Sequence, residues 1–274
     1  MAVSIRPTKT IKDCQAIEWL QAEIWGSVTD VTPAHMLLTI AKEGGVVLLA
    51  LDGDSPVGFA YAFPALTDDG QIKLASHQAG VLPAYQNSGL GYNLKLAQRE
   101  AALDRYLKLI TWTFDPLQGR NARLNLRKLG AVCKTYIPNL YGDMSDELNQ
   151  GLPSDRFRVD WWIASERVQQ RIAGQFVEPD LPPDCLILNP AGVSKNNLVR
   201  PAETFELPAG EFCLVEIPTD LTILKTEAPN MALNWRLQTR EIFEAAFNTG
   251  YTAIDLVCRE GRNYYLLQKN WRQH

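Results

Sequence analysis

One segment of this 274-residue chain concentrates residue types that can do chemistry: His77-Gln-Ala-Gly-Val-Leu-Pro-Ala-Tyr-Gln-Asn-Ser-Gly-Leu-Gly-Tyr92. Its centre is Gln86-x-x-Gly89-x-Gly91, between a strand-like run and a helix-like one. Glycines let a backbone turn tightly and bring several N–H groups to one point. A helix N-terminus just beyond adds partial positive charge. Together they form an anion cradle that suits a pyrophosphate. His77, upstream on the strand, carries an imidazole that titrates near neutral pH and can accept a proton. The plainer reading is a histidine hydrogen-bonded inside a sheet. A dinucleotide fingerprint needs a third glycine where Leu94 stands, and a P-loop needs a Gly-Lys-Ser/Thr that is absent.

Further candidates lie downstream. Asp115, Arg120, Asn121 and Arg123 follow the apolar run Leu107 to Phe114, at the edge where open α/β sheets place ligands. The plainer reading is a turn into a helix at Asp115-Pro116 and a solvated helix face for the arginines. The polar loop Tyr141 to Asp155, with Asp143, Asp146 and Asn149, is long enough to suggest a lid, and Gly151-Leu-Pro-Ser-Asp-Arg156 closes it. Arg236 and Arg240 share a helix face with Glu244, either as a clamp for a carboxylate or as a surface charge ladder. His35 reads as structural and His274 as terminal.

These groups must be positioned by elements legible in the pattern. Val3 to Pro7 predicts a strand and Thr10 to Ile24 a helix. Thr32-Pro33 predicts an N-cap and first helical position for a helix through Lys42, ended by Gly44-Gly45. Val46 to Leu51, Val57 to Leu66 and Lys73 to Leu82 predict three strands, the first two joined by a hairpin. After Gly91 the ridge Leu94, Ala97 and Ala101, broadened by Leu96 and Leu103, predicts a helix. Leu107 to Phe114 reads as an interior strand, Arg120 to Leu129 as a short helix, and Val132 to Leu140 and Phe157 to Ile163 as strands. A helix follows over Glu166 to Ala173. Prolines from Pro179 to Pro208 then exclude long helices, leaving short strands such as Cys185 to Leu188. The tail predicts strand Phe212 to Ile217, helix Met231 to Asn248, and strands near Thr252 to Val257 and Asn263 to Gln268.

Composition sets the bounds. The net charge of −4 gives no field that would draw the chain to nucleic acid or anionic lipid. The apolar run Gly44 to Leu51 is far short of a bilayer span, and the N-terminal residues lack the continuous apolar core of a secretory signal. The five cysteines, Cys14, Cys133, Cys185, Cys213 and Cys258, show no metal-binding or paired spacing, and the three histidines form no HxxxH pattern. Reduced thiols in a cytoplasmic protein without a metal are the expectation.

Preceded by Val81-Leu-Pro83, the run Gln86-x-x-Gly89-x-Gly91 resembles motif A of the GNAT N-acetyltransferases. The order of elements over roughly residues 1 to 165 matches that superfamily. A finer similarity, to a less-characterised group of GNAT-type acetyltransferases with a C-terminal extension, covers nearly the whole chain. It is carried by Ile110 to Leu117, Arg120 to Ala131, Tyr136, Asn139, Tyr141-Gly142, Gly151 to Arg156 and Trp235-Arg-Leu-Gln-Thr-Arg240. The resemblance implies an α/β (α+β) GNAT fold, with a mixed central sheet flanked by helices. It also implies an acyl-CoA-binding domain over 1–165, a helix and proline-rich connector over 166–210, and a small α+β subdomain over 211–274.

The activity it implies is acyl-CoA-dependent N-acyl transfer to a small-molecule amine, by direct attack in a ternary complex. Acetyl-CoA or another acyl-CoA would be the co-substrate. Partners would include neither nucleic acid nor membrane, and a homodimer stays open. Gln86, Asn87, Ser88, Gly89, Leu90 and Gly91, with Asn121, would hold the cofactor's phosphates. Ala79, Gly80 and Val81 would hold its pantetheine arm, and His77 would be the base. Many members place a general-acid tyrosine in an LYxKLGF-like run. Alignment on Lys128-Leu-Gly130 puts Leu126 there, so the acid role passes to Tyr136, Tyr141 or water. Asp115, Arg120, Asp155 and Arg156 would bind the acceptor. The alternative is a CoA-binding or interaction protein of the same fold without catalysis.

Overall fold

A computed structural model describes residues 3–26, 31–142, 151–176, 181, 185–193 and 198–272. The chain forms two compact units, residues 1–112 with 162–164 and residues 113–161 with 165–274. This division differs from the one expected near residue 165. The physical reason is strand pairing: β6 (Val132–Ile137) pairs with β7 (Arg156–Trp162) and also meets the tail strand β12 (Tyr251–Arg259) at Cys133 and Ala253.

In the first unit, β1 (Ser4–Pro7), β2 (Val46–Asp52), β3 (Ser55–Leu66), β4 (Ile72–Val81) and β5 (Leu109–Phe114) lie in that spatial order. The pairs are antiparallel except β4–β5, which is parallel. Helices α1 (Ile11–Trp25) and α2 (Ala34–Lys42) bury Cys14, Ile17, Leu20 and Leu37 against Val47, Leu49, Phe59 and Tyr61. Thr10 caps α1 reciprocally: its hydroxyl accepts from Asp13 N, and the Asp13 carboxylate accepts from Thr10 N. Thr32 does not cap α2 as its type suggests. Pro33 is the N-cap residue, Glu18 Oε2 accepts from Ala34 N at 2.6 Å, and the Thr32 hydroxyl instead meets the Tyr61 hydroxyl at 2.6 Å. Helix α3 (Leu90–Leu103) buries Leu90, Leu94, Lys95, Gln98 and Ala102. The expected ridge through Ala97 and Ala101 is therefore rotated, and two polar residues take core positions.

The second unit orders its strands β7-β6-β12-β13-β11-β8, with β8 (Leu186–Ile187), β11 (Phe212–Ile217) and β13 (Arg262–Lys269). A separate pair joins β9 (Gly192–Val193) to β10 (Val199–Arg200). The expected short helix begins as α4 (Gly119–Ala122) and widens into a π-helical turn over Arg123–Lys128, in which Leu129 N bonds Leu124 O. Ser165 caps α5 (Glu166–Ile172). A short helix, α6 (Leu221–Glu227), precedes α7 (Pro229–Asn248). The pattern did not single it out, but Asp220 caps it by accepting from Thr222 N and Ile223 N. Phe157, Phe243 and Tyr265 form an aromatic core with centroids 4.7 and 5.3 Å from Phe157. The expected proline-rich stretch is only partly within the described residues.

Gly45, between α2 and β2, shows how tightly the first unit is packed. A Cβ there would lie 2.6 Å from Ile40 O and 2.7 Å from Ala62 O, and would also overlap Ile40 Cγ2. Gly45→Ala should cost about 1–3 kcal/mol. In thermal melts its Tm should fall by several degrees, whereas Gly91→Ala, whose Cβ would meet nothing within 4 Å, should melt no lower than wild type.

Candidate active site

The first unit contains the strand, loop and helix singled out by the sequence. Along the β3–β4 ladder, Tyr61 pairs with Gln78 and Ala62 with Ser76, so His77 is the extra residue of a β-bulge. On its other edge β4 pairs with β5 only through Leu74↔Ile110 and Ala75↔Thr111. From His77 to Val81 that edge is unpaired by β5, which leaves backbone donors and acceptors for a ligand. Bulges commonly re-aim side chains beside functional sites. Here the imidazole of His77 is exposed and makes no hydrogen bond among the described residues; the Tyr61 and Phe63 rings lie 5.6 and 6.1 Å away. Partial burial of the ring lowers its pKa below the ordinary histidine value.

Beyond Val81 the chain makes a single tight turn over Pro83–Tyr85, and Gln86 Nε2 reaches back to Val81 O. The Tyr85 hydroxyl donates to Asp52 at 2.8 Å and the Ser88 hydroxyl to Tyr85 O at 2.6 Å, which pins the loop. Gly89 is left-handed at φ +87° and is the N-cap residue of α3, with no side-chain cap and no acidic residue in the first turn. The leading N–H groups of a 14-residue helix are therefore free of a side-chain acceptor, and the space in front of Gly89 and Gly91 is open. Gln86, Asn87, Ser88 and Gly89 are exposed, Leu90 is buried, and Ala79 is exposed on the free strand edge, beside buried Gly80 and half-buried Val81. An anionic group at the loop joined to an extended arm along β4 fits this arrangement.

One functional candidate belongs to no motif in the sequence. Lys95 Nζ is buried, donates to Ser76 Oγ at 2.8 Å and lies 4.0 Å over the Trp112 ring. Ser76 donates to Gln98 Oε1 at 3.0 Å, while Gln98 Nε2 finds no partner among the described residues. Burial pulls the Lys95 pKa down to about 7. The available signal was position: Lys95 and Gln98 fall on the Leu94–Ala102 face, where a helix facing a sheet should be apolar.

The remaining candidates lie in the second unit. Asp155 is fully buried and accepts from Arg240 Nε at 2.9 Å and Nη2 at 2.7 Å, from the Tyr136 hydroxyl at 2.6 Å and from Asn139 N at 3.0 Å. Burial pushes its carboxyl up, but these donors outweigh it and hold the pKa below the usual range. Asp115 caps the following turn through Leu117 N and takes Arg236 Nη2 at 2.6 Å; Arg236 is 1 % exposed. Arg236 and Arg240 are thus no exposed ladder: α7 brings both inward, because two carboxylates stand one helical turn apart to meet them. The expectation that Asp115 and Asp155 bind an acceptor gives way to this internal use of their charge.

Arg156 is also buried, donating to Asp155 O at 2.9 Å with its guanidinium 5.3 Å from the Tyr141 ring. Tyr136 is held well above the ordinary phenol pKa, chiefly by burial and then by the Asp155 charge. Tyr141 is exposed, its hydroxyl 3.0 Å from that of Thr113. Arg120, Asn121 and Arg123 are exposed, and Leu126 is fully buried. Asp143, Asp146, Asn149 and His274 lie outside the described residues. Among the described residues no cluster of His, Cys, Asp or Glu could hold a metal, and no helix is long and apolar enough to cross a membrane.

Asp155→Asn should leave half-buried Arg240 and the Tyr136 hydroxyl facing a neutral amide and cost about 2 kcal/mol at neutral pH. Because the folded-state pKa of Asp155 is lowered, its contribution is complete above the unfolded carboxylate value near 4 and is lost as pH falls through the folded value. Denaturant midpoints of wild type and variant should therefore differ at pH 7 and converge in acid.

No family model matches the sequence, and no curated protein matches it. Solved structures similar to the chain include an acetyltransferase of the GNAT family from Streptococcus pneumoniae, at 16% identity and a TM-score of 0.47, covering 58% of this chain and 98% of that one. Another is the NatC complex bound to Gag peptide and CoA, at 14% identity and 0.47, covering 58% and 98%. A third is aminoglycoside 6'-acetyltransferase type Ii, at 16% identity and 0.44, covering 60% and 97%. Each of the three is matched over nearly its whole length by a little over half of this chain.

Proposed function

We propose that the chain is a GNAT-type N-acyltransferase that transfers an acyl group from acyl-CoA to the amine of a small molecule. The observation that carries this reading is the bulge at His77, placed where β4 leaves β5 on a strand that runs directly into the Gly89 loop and α3. One continuous edge offers backbone bonds to an arm and helix N–H groups to its phosphates. A free imidazole stands at the edge's other end. Bound acyl-CoA supplies the activated thioester carbonyl.

The chain's own residues supply binding and proton transfer. Ala79, Gly80 and Val81 hold the arm, and Gln86 to Gly91 hold the pyrophosphate. Asn121, on the exposed start of the short helix, is kept as a phosphate contact and Arg120 as an acceptor contact. An amine is protonated at neutral pH and must lose a proton to attack, and His77 removes it. Of the two candidate acids, Tyr136 is committed to Asp155, whereas Tyr141 keeps an exposed hydroxyl. A small acceptor is favoured by the −4 charge, which draws neither nucleic acid nor acidic surfaces.

Purified protein incubated with a panel of acyl-CoAs and small amines should release free thiol. No release above background with any small amine or peptide would overturn the reading, and release with peptides alone would move the acceptor to that class. His77→Ala should slow turnover about 10²-fold. Since the His77 pKa is lowered, kcat should hold through neutral pH and fall on the acid side below the ordinary histidine value. Unchanged turnover would remove His77 as the base. The second reading, CoA binding without catalysis, is favoured by Leu126 at the usual tyrosine position; it requires thermal stabilisation by CoA with no thiol released.

A further inference from the structure

Lys95 has no counter-charge. Its Nζ uses one of three donors, on Ser76 Oγ, and sits over the Trp112 ring. No carboxylate pairs with it among the described residues. Arg99 and Glu100, further along α3, pair with each other at 2.7 Å, Asp52 on β2 is taken by Tyr85, and His77 turns instead toward Tyr61 and Phe63. An unpaired buried ammonium is costly.

Its location indicates a use for that charge. Ala75 and Thr111 are the last residues at which β4 and β5 pair. Ser76 and Trp112, which bracket Nζ, are the next residue on each strand, so the ammonium sits at the apex of the opening. From the phosphate loop, the free edge of β4 runs back from Val81 to Ser76 over about 16 Å, comparable to an extended pantetheine arm. The end of such an arm that reaches the apex is the sulfur.

We propose that Lys95 is the cationic group that receives the departing sulfur of acyl-CoA and stabilises it as a thiolate. The inference rests on the acyltransferase reading above. As the amine nitrogen bonds to the acyl carbon, the C–S bond breaks and its electron pair goes to sulfur. The Lys95 ammonium balances that charge and holds CoA as the thiolate, which takes a proton from solvent on leaving. The amine's own proton goes to His77, which passes it to solvent. The negative charge is met by a cation already in place, so the sulfur needs no proton at the moment the C–S bond breaks.

The test uses the full chain with free CoA and with desulfo-CoA, which lacks the thiol. At about pH 6.5, where a free thiol is fully protonated, CoA bound to wild type should show ultraviolet thiolate absorbance and release a proton on calorimetry in two buffers. Desulfo-CoA should bind about tenfold more weakly and release none. Lys95→Met should bind both ligands alike, with no thiolate signal. Equal binding of CoA and desulfo-CoA by wild type without a thiolate overturns the inference while leaving CoA binding intact. A thiolate that persists in Lys95→Met overturns it as well, and failure of either ligand to bind removes the reading on which it rests. Should Lys95→Met not fold, the wild-type comparison alone decides.

Discussion

Strand β4 pairs with β3 along one edge except at the His77 bulge and is released by β5 along most of the other. A strand interior normally satisfies both edges, because unpaired backbone groups are costly when buried. Here the antiparallel ladder to β3 holds β4 in place while the bulge at His77 lets the other edge diverge. The features of the first unit that suggest chemistry follow from that divergence. The free edge can accept an arm, the bulged residue presents its imidazole, and the strand's end passes into a loop that opens a helix toward an anion. Tyr85 bound to Asp52 and Ser88 bound to Tyr85 O keep the loop in register with the strand.

The second unit solves a different problem. Helix α7 places two arginines one turn apart, and each meets a carboxylate from a separate stretch, Asp115 after β5 and Asp155 before β7. Buried ion pairs add little net stability over apolar packing, but breaking one is expensive. The pairs fix where the two arginines of α7 point, with Tyr136 and Asn139 sharing Asp155 and Phe243 stacked on Tyr136 at 6.1 Å. Among the described residues Arg236 Nε and Nη1 have no acceptor, so the arrangement has costs beyond the pairs themselves.

Periodicity made most elements legible. The runs at 46–51, 57–66 and 73–82 became β2, β3 and β4 within a residue or two, and the glycine loop gave α3 its start. What periodicity could not show was where polar residues are spent. Thr32 looks like a cap, yet a glutamate from α1 reaches the helix amide and frees the hydroxyl for Tyr61, a tertiary contact invisible in local pattern. Arg236 and Arg240 look like solvated helix residues because their partners lie 121 and 85 residues away in the chain. The bulge at His77 was equally hidden. It is a property of the β3–β4 register, which no single strand encodes. Lys95 carries no mark in the sequence pattern, because a lysine on a helix is normally outside.

That last case shows how a departure from pattern carries information. A lysine on the buried face of α3 gives up hydration that one hydroxyl and one aromatic ring only partly replace. Leucine or methionine would fill the same volume with less penalty, as leucine does at the adjacent Leu94 and, over a turn earlier, at Leu90. Ser76 and Gln98 compound the cost, since Gln98 Nε2 is itself unpartnered among the described residues. Three polar side chains in a layer otherwise built of Leu90, Leu94 and Leu74 weaken the packing of α3 on the sheet, and they do so where β4 and β5 separate. A stability requirement alone would have replaced them. The site that needs a positive charge held in a dry setting is one where negative charge develops during reaction, because such a group is already in place and needs no reorganisation.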